Sequence, residues 1–171
     1  MAGQGWVRVS AQQAEAHPLF GLRGWLRIVS ILMALTAITG PLISLIFTAK
    51  VMSLPPEVIP GGLVMVALLA LGTATAIVLA VLWFNQSQYF LRAYVELSAI
   101  SIALDLAGDL LLRTMGPLPP PFAQAQGNLL ADVVMSALLS ALPCWMLWRS
   151  RRFRVTFQHE LREDDPALFS R

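Results

Sequence analysis

The chain has 171 residues and a formal net charge of +2; 57% of its residues are hydrophobic and only 13% are charged. Soluble domains carry about a quarter charged residues, so this composition excludes an ordinary soluble protein and indicates an integral membrane protein. The single cysteine, Cys144, excludes a disulfide within the chain and a cysteine-based metal cage.

Four apolar segments follow a polar head. Residues 1–24 lack the apolar core of a signal peptide, so we expect a cytoplasmic head that is flexible or interfacial. A transmembrane helix needs about 20 predominantly apolar residues, and four segments reach this length. They lie at about 26–47, 63–84, 94–112 and 129–148. We therefore predict an all-α, polytopic membrane protein in which residues 25–149 form an antiparallel four-helix transmembrane bundle.

The third apolar segment is the least apolar of the four because it contains Asp105 and Asp109. An acid at the centre of a transmembrane helix costs about 2.5 to 3.5 kcal/mol on insertion, and each aliphatic residue offsets only about 0.3 to 0.6 kcal/mol. We therefore expect this helix to depend on its neighbours for insertion.

The tail, residues 150–171, is first basic and then acidic. Together with the end of the fourth segment it places four arginines within six positions. These are Arg149, Arg151, Arg152 and Arg154. Basic residues beside a span fix its orientation and contact anionic lipid head groups, and we prefer this interpretation to nucleic-acid binding. The rest of the tail has no apolar pattern, so we expect it to be solvated and without a fold.

The basic residues also predict the topology. If the head, the second loop and the tail share one side, that side holds ten of the 12 basic residues, and the other side holds only Lys50 and Arg113. Cytoplasmic loops carry an excess of lysine and arginine, and tryptophan and tyrosine are enriched at membrane interfaces. Most tryptophans and both tyrosines fall near the arginine-rich side. Both termini are therefore predicted to be cytoplasmic.

Two motifs that flank the apolar region carry a resemblance to a known family. They are GLRGWL at 21–26 and RSRRFRVTF at 149–157, and Pro41 lies within the first apolar segment. The sequence from about 21 to 157 resembles an uncharacterised bacterial family catalogued as domain of unknown function 2569. The resemblance implies four spans and a location in the bacterial cytoplasmic (inner) membrane. It implies no established activity and no catalytic residues.

The polar residues of the third and fourth segments repeat at helical spacing. Ser98, Ser101, Asp105 and Asp109 fall on one helical face, and Arg113 lies four residues after Asp109. The fourth segment repeats this pattern. Its polar residues are Asn128, Asp132, Ser136 and Ser140. We take Ser101, Asp105, Asp109, Arg113, Asp132 and Ser136 as a candidate intramembrane polar site.

Two interpretations of these polar residues remain open. The first is that they hold helices together through hydrogen bonds, with an ion pair between Asp109 and Arg113. The second is a relay or ligand site for protons or cations, because ionisable groups within spans usually face a bundle interior or a water-filled cavity. Glu96 lies off this face and four residues after Arg92, so an interfacial pair is expected there.

Small residues form two further stripes with a spacing of four. They are Gly72, Ala76 and Ala80 in the second segment and Ala99, Ala103 and Ala107 in the third. Such stripes allow helix backbones to approach closely. We expect close contacts within the chain, with a dimerisation face as the alternative.

Enzyme signatures are absent from the sequence. It has no His-Glu-x-x-His, no Walker loop and no Gly-x-Ser-x-Gly. The two histidines, His17 and His159, lie outside the apolar segments and cannot serve a metal site within the bilayer. We therefore expect no enzymatic activity, no metal and no cofactor.

The preferred functional hypothesis is a small membrane protein that acts as an accessory or structural partner of another membrane component, or as a homo-oligomer. Its expected contacts are the lipid bilayer, anionic lipid head groups and a membrane protein partner, but no nucleic acid. The alternative hypothesis is a proton-coupled or cation-coupled transporter, or a channel-like protein, that uses the acids of the third and fourth segments.

Overall fold

The computed structural model describes residues 5–53, 55–56, 59–114 and 129–168, without the side chains of residues 129, 130, 132 and 167. Four long helices lie between a short N-terminal segment and a folded tail. The elements in chain order are β1 (Trp6–Arg8), α1 (Ala11–Glu15), α2 (Trp25–Met52), α3 (Ile59–Phe84), α4 (Phe90–Thr114), α5 (Leu129–Arg149), α6 (Arg151–Phe153), a π-helical segment (Arg154–Gln158), β2 (Glu160–Arg162) and a 3-10 turn (Pro166–Leu168). The all-α class is confirmed, with an additional two-stranded sheet that was not predicted.

Among the described residues, α2 and α3 are each long and apolar enough to cross a bilayer. They have 28 and 26 residues and mean hydropathies of 2.1 and 2.5. A third candidate joins most of α5 to the segment that follows it, Val133–Arg149 and Arg151–Gln158, across a bend of 74°. Two to three apolar helices therefore confirm that the protein is a membrane protein. The predicted segments all lie within the long helices, which extend beyond most of them.

The long helices pack in chain order. α2 packs against α3, α3 against α4, and α4 against α5. Glycines permit close approaches at two points: a Cβ at Gly62 of α3 would lie 2.5 Å from Cγ1 of Val51 in α2, and a Cβ at Gly108 of α4 would collide with Leu68 of α3. Only glycine fits these two contact points without displacing a neighbour.

The small-residue stripes do not make the contacts that were predicted for them. Ala99, Ala103 and Ala107 are all exposed on α4, and nothing lies within 4 Å of a Cβ built at Gly72. Of the six residues in the two stripes, only Ala80 is buried. The prediction of close helix contact was therefore wrong for most of these positions, because spacing alone does not show which face of a helix meets its neighbour.

The best packed part of the described chain is an aromatic cluster at the end of the helices where the termini meet. It consists of Trp83, Phe90, Phe153 and Phe157. All four side chains are at most 1% exposed. Leu26, Leu79 and Leu147 complete this core. One end of every long helix therefore contributes to it, together with the tail.

The head and the tail form one folded unit, which we call the terminal cap (residues 5–24 and 150–168). Strands β1 and β2 pair in antiparallel fashion, with Val7 opposite Leu161. His17 Nε2 lies 3.2 Å from Asp165 Oδ2, and the Gly21 N–H donates to Thr156 Oγ1 at 3.0 Å. The expectation of a tail without a fold was wrong, because its few apolar side chains are buried against the helix ends.

Candidate functional site

A cavity of about 680 Å³ lies between α2, α3 and α4, and we call it the acidic cavity. Its described lining residues are Thr36, Gly40, Ile43, Phe47, Met65, Leu68, Leu69, Gly72, Thr73, Ala76, Asp105, Asp109 and Leu112. The space exists because α3 presents small residues at Gly72 and Ala76 where a larger side chain would fill it. The cavity is thus mostly apolar, with two carboxylates contributed by α4.

Asp105 lines the acidic cavity without a partner among the described residues. Its side chain is exposed, and it forms neither a hydrogen bond nor an ion pair with any residue in this part of the chain. A charged group that leaves water without a counter-ion is costly. An ionised Asp105 carboxylate is therefore stabilised by any cation that enters the cavity.

Asp109 lies one helical turn further along α4 and is paired. Its Oδ2 lies 2.6 Å from Nε of Arg113, and its side chain is 20% exposed. This i to i+4 pair confirms the predicted ion pair. The two acids are consequently different: the charge of Asp109 is balanced by Arg113, whereas that of Asp105 is not balanced by a described residue.

The structure brings only part of the predicted polar site together. Asp105 and Asp109 both line the acidic cavity, and Arg113 forms an ion pair with Asp109. Ser101 and Ser136 are half-buried and do not belong to the described lining. The side chain of Asp132 lies outside the described residues. The described lining of the cavity thus comes from α4 and the two helices that precede it.

The predicted pair between Arg92 and Glu96 is also confirmed. Arg92 Nε donates to Glu96 Oε1 at 2.7 Å, and both side chains are exposed. Glu96 thus supplies an acid on the same helix as Asp105 but outside the cavity.

The wall that α2 contributes was not predicted from the sequence. It includes Thr36, Gly40, Ile43 and Phe47, whose spacing of four, three and four residues places them on one helical face. Thr36 is the only polar side chain among these four residues, and α2 carries other hydroxyl side chains on its remaining faces, so the sequence did not distinguish this face in advance. The two lining threonines are engaged elsewhere: Thr36 Oγ1 donates to the Leu32 carbonyl at 2.9 Å, and Thr73 Oγ1 lies 3.0 Å from Ser44 Oγ.

The four arginines at the end of α5 fall into two groups. Arg149 and Arg151 are exposed, and Arg152 is half-buried. Arg154 is instead held by other residues of the terminal cap: its Nη1 lies 3.2 Å from Glu160 Oε2, and its Cζ lies 4.6 Å from the centre of the Trp6 ring. Arg149 and Arg151 are thus the exposed members of this set, and the Arg149 Cζ lies 5.4 Å from the centre of the Trp145 ring.

No group of three or more His, Cys, Asp or Glu side chains among the described residues could hold a metal ion. Both histidines lie in the terminal cap, where His17 contacts Asp165. Comparisons with protein-family models, curated proteins and solved structures found no match. The resemblance to the family with domain of unknown function 2569 stays a prediction.

Proposed function

We propose that the protein spans the bacterial cytoplasmic membrane four times with both termini in the cytoplasm, and that its acidic cavity binds protons or other cations in a transport or channel-like activity. One observation carries this proposal: Asp105, on a helix within the apolar region, faces a cavity of about 680 Å³ without a partner among the described residues. An acid whose role is to hold helices together would have its partner in a dry contact.

The terminal cap supports an even number of spans. Because β1 precedes α2 and β2 follows α5, their pairing brings the two ends of the helical region together, which fits a topology with both ends on the same side of the membrane. If α2 and α3 cross, then α4 and α5 cross together or not at all. α4 has 25 residues and α5 has 21, so at about 1.5 Å per residue each exceeds the hydrocarbon thickness of about 30 Å.

Cysteine labelling tests this topology. In a Cys144→Ser background, single cysteines are introduced as Pro55→Cys, Gln88→Cys and Ala125→Cys, one for each loop between the long helices. A membrane-impermeant maleimide added to intact cells should label the first and third loops but not the second, which should react only after the membrane is permeabilised. Labelling of Gln88→Cys from outside, or protection of Ala125→Cys, would contradict four spans with cytoplasmic ends.

The proposed activity is tested by flux through vesicles that contain the purified protein. Proton, sodium and potassium movements are compared for the wild type, Asp105→Asn and Glu96→Gln. The last variant is the control, because Glu96 is an exposed acid on the same helix that lies outside the acidic cavity. We expect proton flux with the wild type and the control and loss of proton flux with Asp105→Asn. Equal flux in all three would overturn the proposal.

A second candidate function is that of an accessory or structural partner within a larger membrane assembly. The observation that favours it is the exposure of Ala99, Ala103 and Ala107 on α4, since small residues on an outward face allow another helix to approach closely. Crosslinking in cells and the mass of the purified protein in mild detergent test this candidate. Monomers alone, with no crosslinked partner, would exclude it.

A further inference from the structure

The net charge of the acidic cavity favours a ligand with a single positive charge. Asp109 is paired with Arg113, whose Nε lies 2.6 Å away. Asp105 has no partner in the described part of the chain. Two acids therefore leave one negative charge without compensation when both are ionised. A monovalent cation balances this charge, whereas a divalent cation would leave an excess positive charge in an apolar space.

The walls of the acidic cavity are unsuited to a bare inorganic ion. Most of its lining side chains are apolar, among them Ile43, Phe47, Leu68 and Leu112. The hydroxyls of Thr36 and Thr73 already contact Leu32 and Ser44. Hard cations such as Ca²⁺ take about six to eight oxygen ligands, which these walls do not supply. Apolar walls stabilise an apolar body through burial.

The size of the cavity also favours a ligand larger than an inorganic ion. Its volume of about 680 Å³ lies within the range of roughly 300 to 1,000 Å³ that is typical of small-molecule sites, and a single water occupies only about 30 Å³. Gly72 adds to the open space, since nothing lies within 4 Å of a Cβ built there. Phe47 also contributes an aromatic ring to the wall, and such rings attract organic cations.

The geometry points to a monovalent organic cation with a bulky apolar body, of the quaternary ammonium or phosphonium type, as the ligand of the acidic cavity. The cationic centre lies against Asp105, and the apolar body lies between α2 and α3. This inference rests on the proposed function, because it names the ligand class of the same site.

Binding of tetraphenylphosphonium to the purified full-length protein in detergent tests this inference by equilibrium dialysis. The wild type should bind it saturably. Asp105→Asn should weaken binding about tenfold or more, because it removes the charge that faces the ligand. Gly72→Leu should weaken binding by a similar factor because it fills the cavity while leaving both acids in place. The matched controls, Glu96→Gln and Ala74→Leu, lie on exposed positions of the same two helices and should bind as the wild type does.

Folding of each variant is checked through thermal unfolding, with a thiol-reactive dye that reports exposure of Cys144. If Gly72→Leu does not fold, Ala76→Leu replaces it, since Ala76 lines the same cavity. Equal binding by the wild type and Asp105→Asn would overturn the inference and would indicate a lipid acyl chain or another neutral molecule as the occupant. Equal binding by the wild type and a folded cavity-filling variant would overturn it as well.

Proton flux measured on the same variants distinguishes failure of this inference from failure of the proposed function. If the wild type binds no tetraphenylphosphonium but shows flux that depends on Asp105, the organic-cation ligand is wrong and the cation site stands. If neither binding nor flux depends on Asp105, both are wrong. If Gly72→Leu retains proton flux but no longer binds tetraphenylphosphonium, both the ligand class and the proposed function are supported.

Discussion

Replacement of Phe157 by alanine should strongly destabilise the protein, although Phe157 lies in the tail, for which the sequence predicts a solvated segment. The Phe157 ring is 1% exposed. Its centroid lies 4.6 Å from that of Phe153 and 4.8 Å from that of Trp83. Phe→Ala substitutions in protein cores cost about 3 to 5 kcal/mol, and aromatic pairs add about 0.5 to 1.5 kcal/mol beyond burial. We expect Phe157→Ala to lower the free energy of unfolding by about 3 to 5 kcal/mol.

The measurement is reversible unfolding of the purified protein in mixed micelles with increasing dodecyl sulfate, followed by tryptophan fluorescence. Trp83 is fully buried in the same aromatic cluster, so its emission reports loss of packing around Phe157. Phe84→Ala is the matched control, because Phe84 is 47% exposed and its removal leaves no internal cavity. The control should change the free energy of unfolding by about 0.5 kcal/mol or less.

A second readout concerns the tail itself. In the wild type, trypsin should cleave slowly at Arg154, because this residue is held by Trp6, Trp148 and Glu160. Cleavage should become faster in Phe157→Ala as the terminal cap opens. If Phe157→Ala unfolds at the same dodecyl sulfate fraction as Phe84→Ala, and trypsin cleaves the tail equally fast in both, the tail is not packed against the helices.

Two further predictions concern single contacts between the long helices, each measured by the same unfolding assay. Trp83 Nε1 donates to Ser30 Oγ at 2.8 Å in a buried position, so Ser30→Ala should lower the free energy of unfolding by about 1 to 3 kcal/mol because it leaves the indole N–H unpaired. This loss should largely disappear in a Trp83→Phe background. Full additivity of the two substitutions would contradict the contact. Gly72→Ala should stabilise the protein by up to about 1 kcal/mol through helix propensity, since its surroundings are open, whereas Gly62→Ala should destabilise it because the new Cβ would lie 2.5 Å from Val51. Equal effects at the two glycines would show that α2 and α3 do not pack as described.

Several features of this protein follow from its sequence alone. Apolar segments of sufficient length must form helices in a bilayer, because every backbone N–H and C=O has to be satisfied within the segment itself. The ion pairs Arg92–Glu96 and Asp109–Arg113 were also predictable, because residues four apart on a helix are neighbours whatever surrounds them. These are local properties, and length and spacing are enough to predict them.

The small-residue stripes are an example of a feature that spacing alone does not predict. Spacing of four places Ala99, Ala103 and Ala107 on one face of α4, yet that face is exposed. The close approaches occur instead at Gly62 and Gly108. Which face of a helix meets its neighbour depends on the packing of all the helices, and residue spacing within one helix does not contain this information.

The acidic cavity and the terminal cap were decided by the tertiary structure. The cavity requires Asp105 of α4 to face Gly72 of α3 and the wall of α2, and nothing in the chain pairs these positions in advance. The cap depends on contacts between residues far apart in sequence, such as His17 with Asp165, 148 positions away. Composition predicted the helices because hydrogen bonding in the bilayer is local; it could not predict the cap or the cavity because both depend on side chains that meet only after the helices have packed.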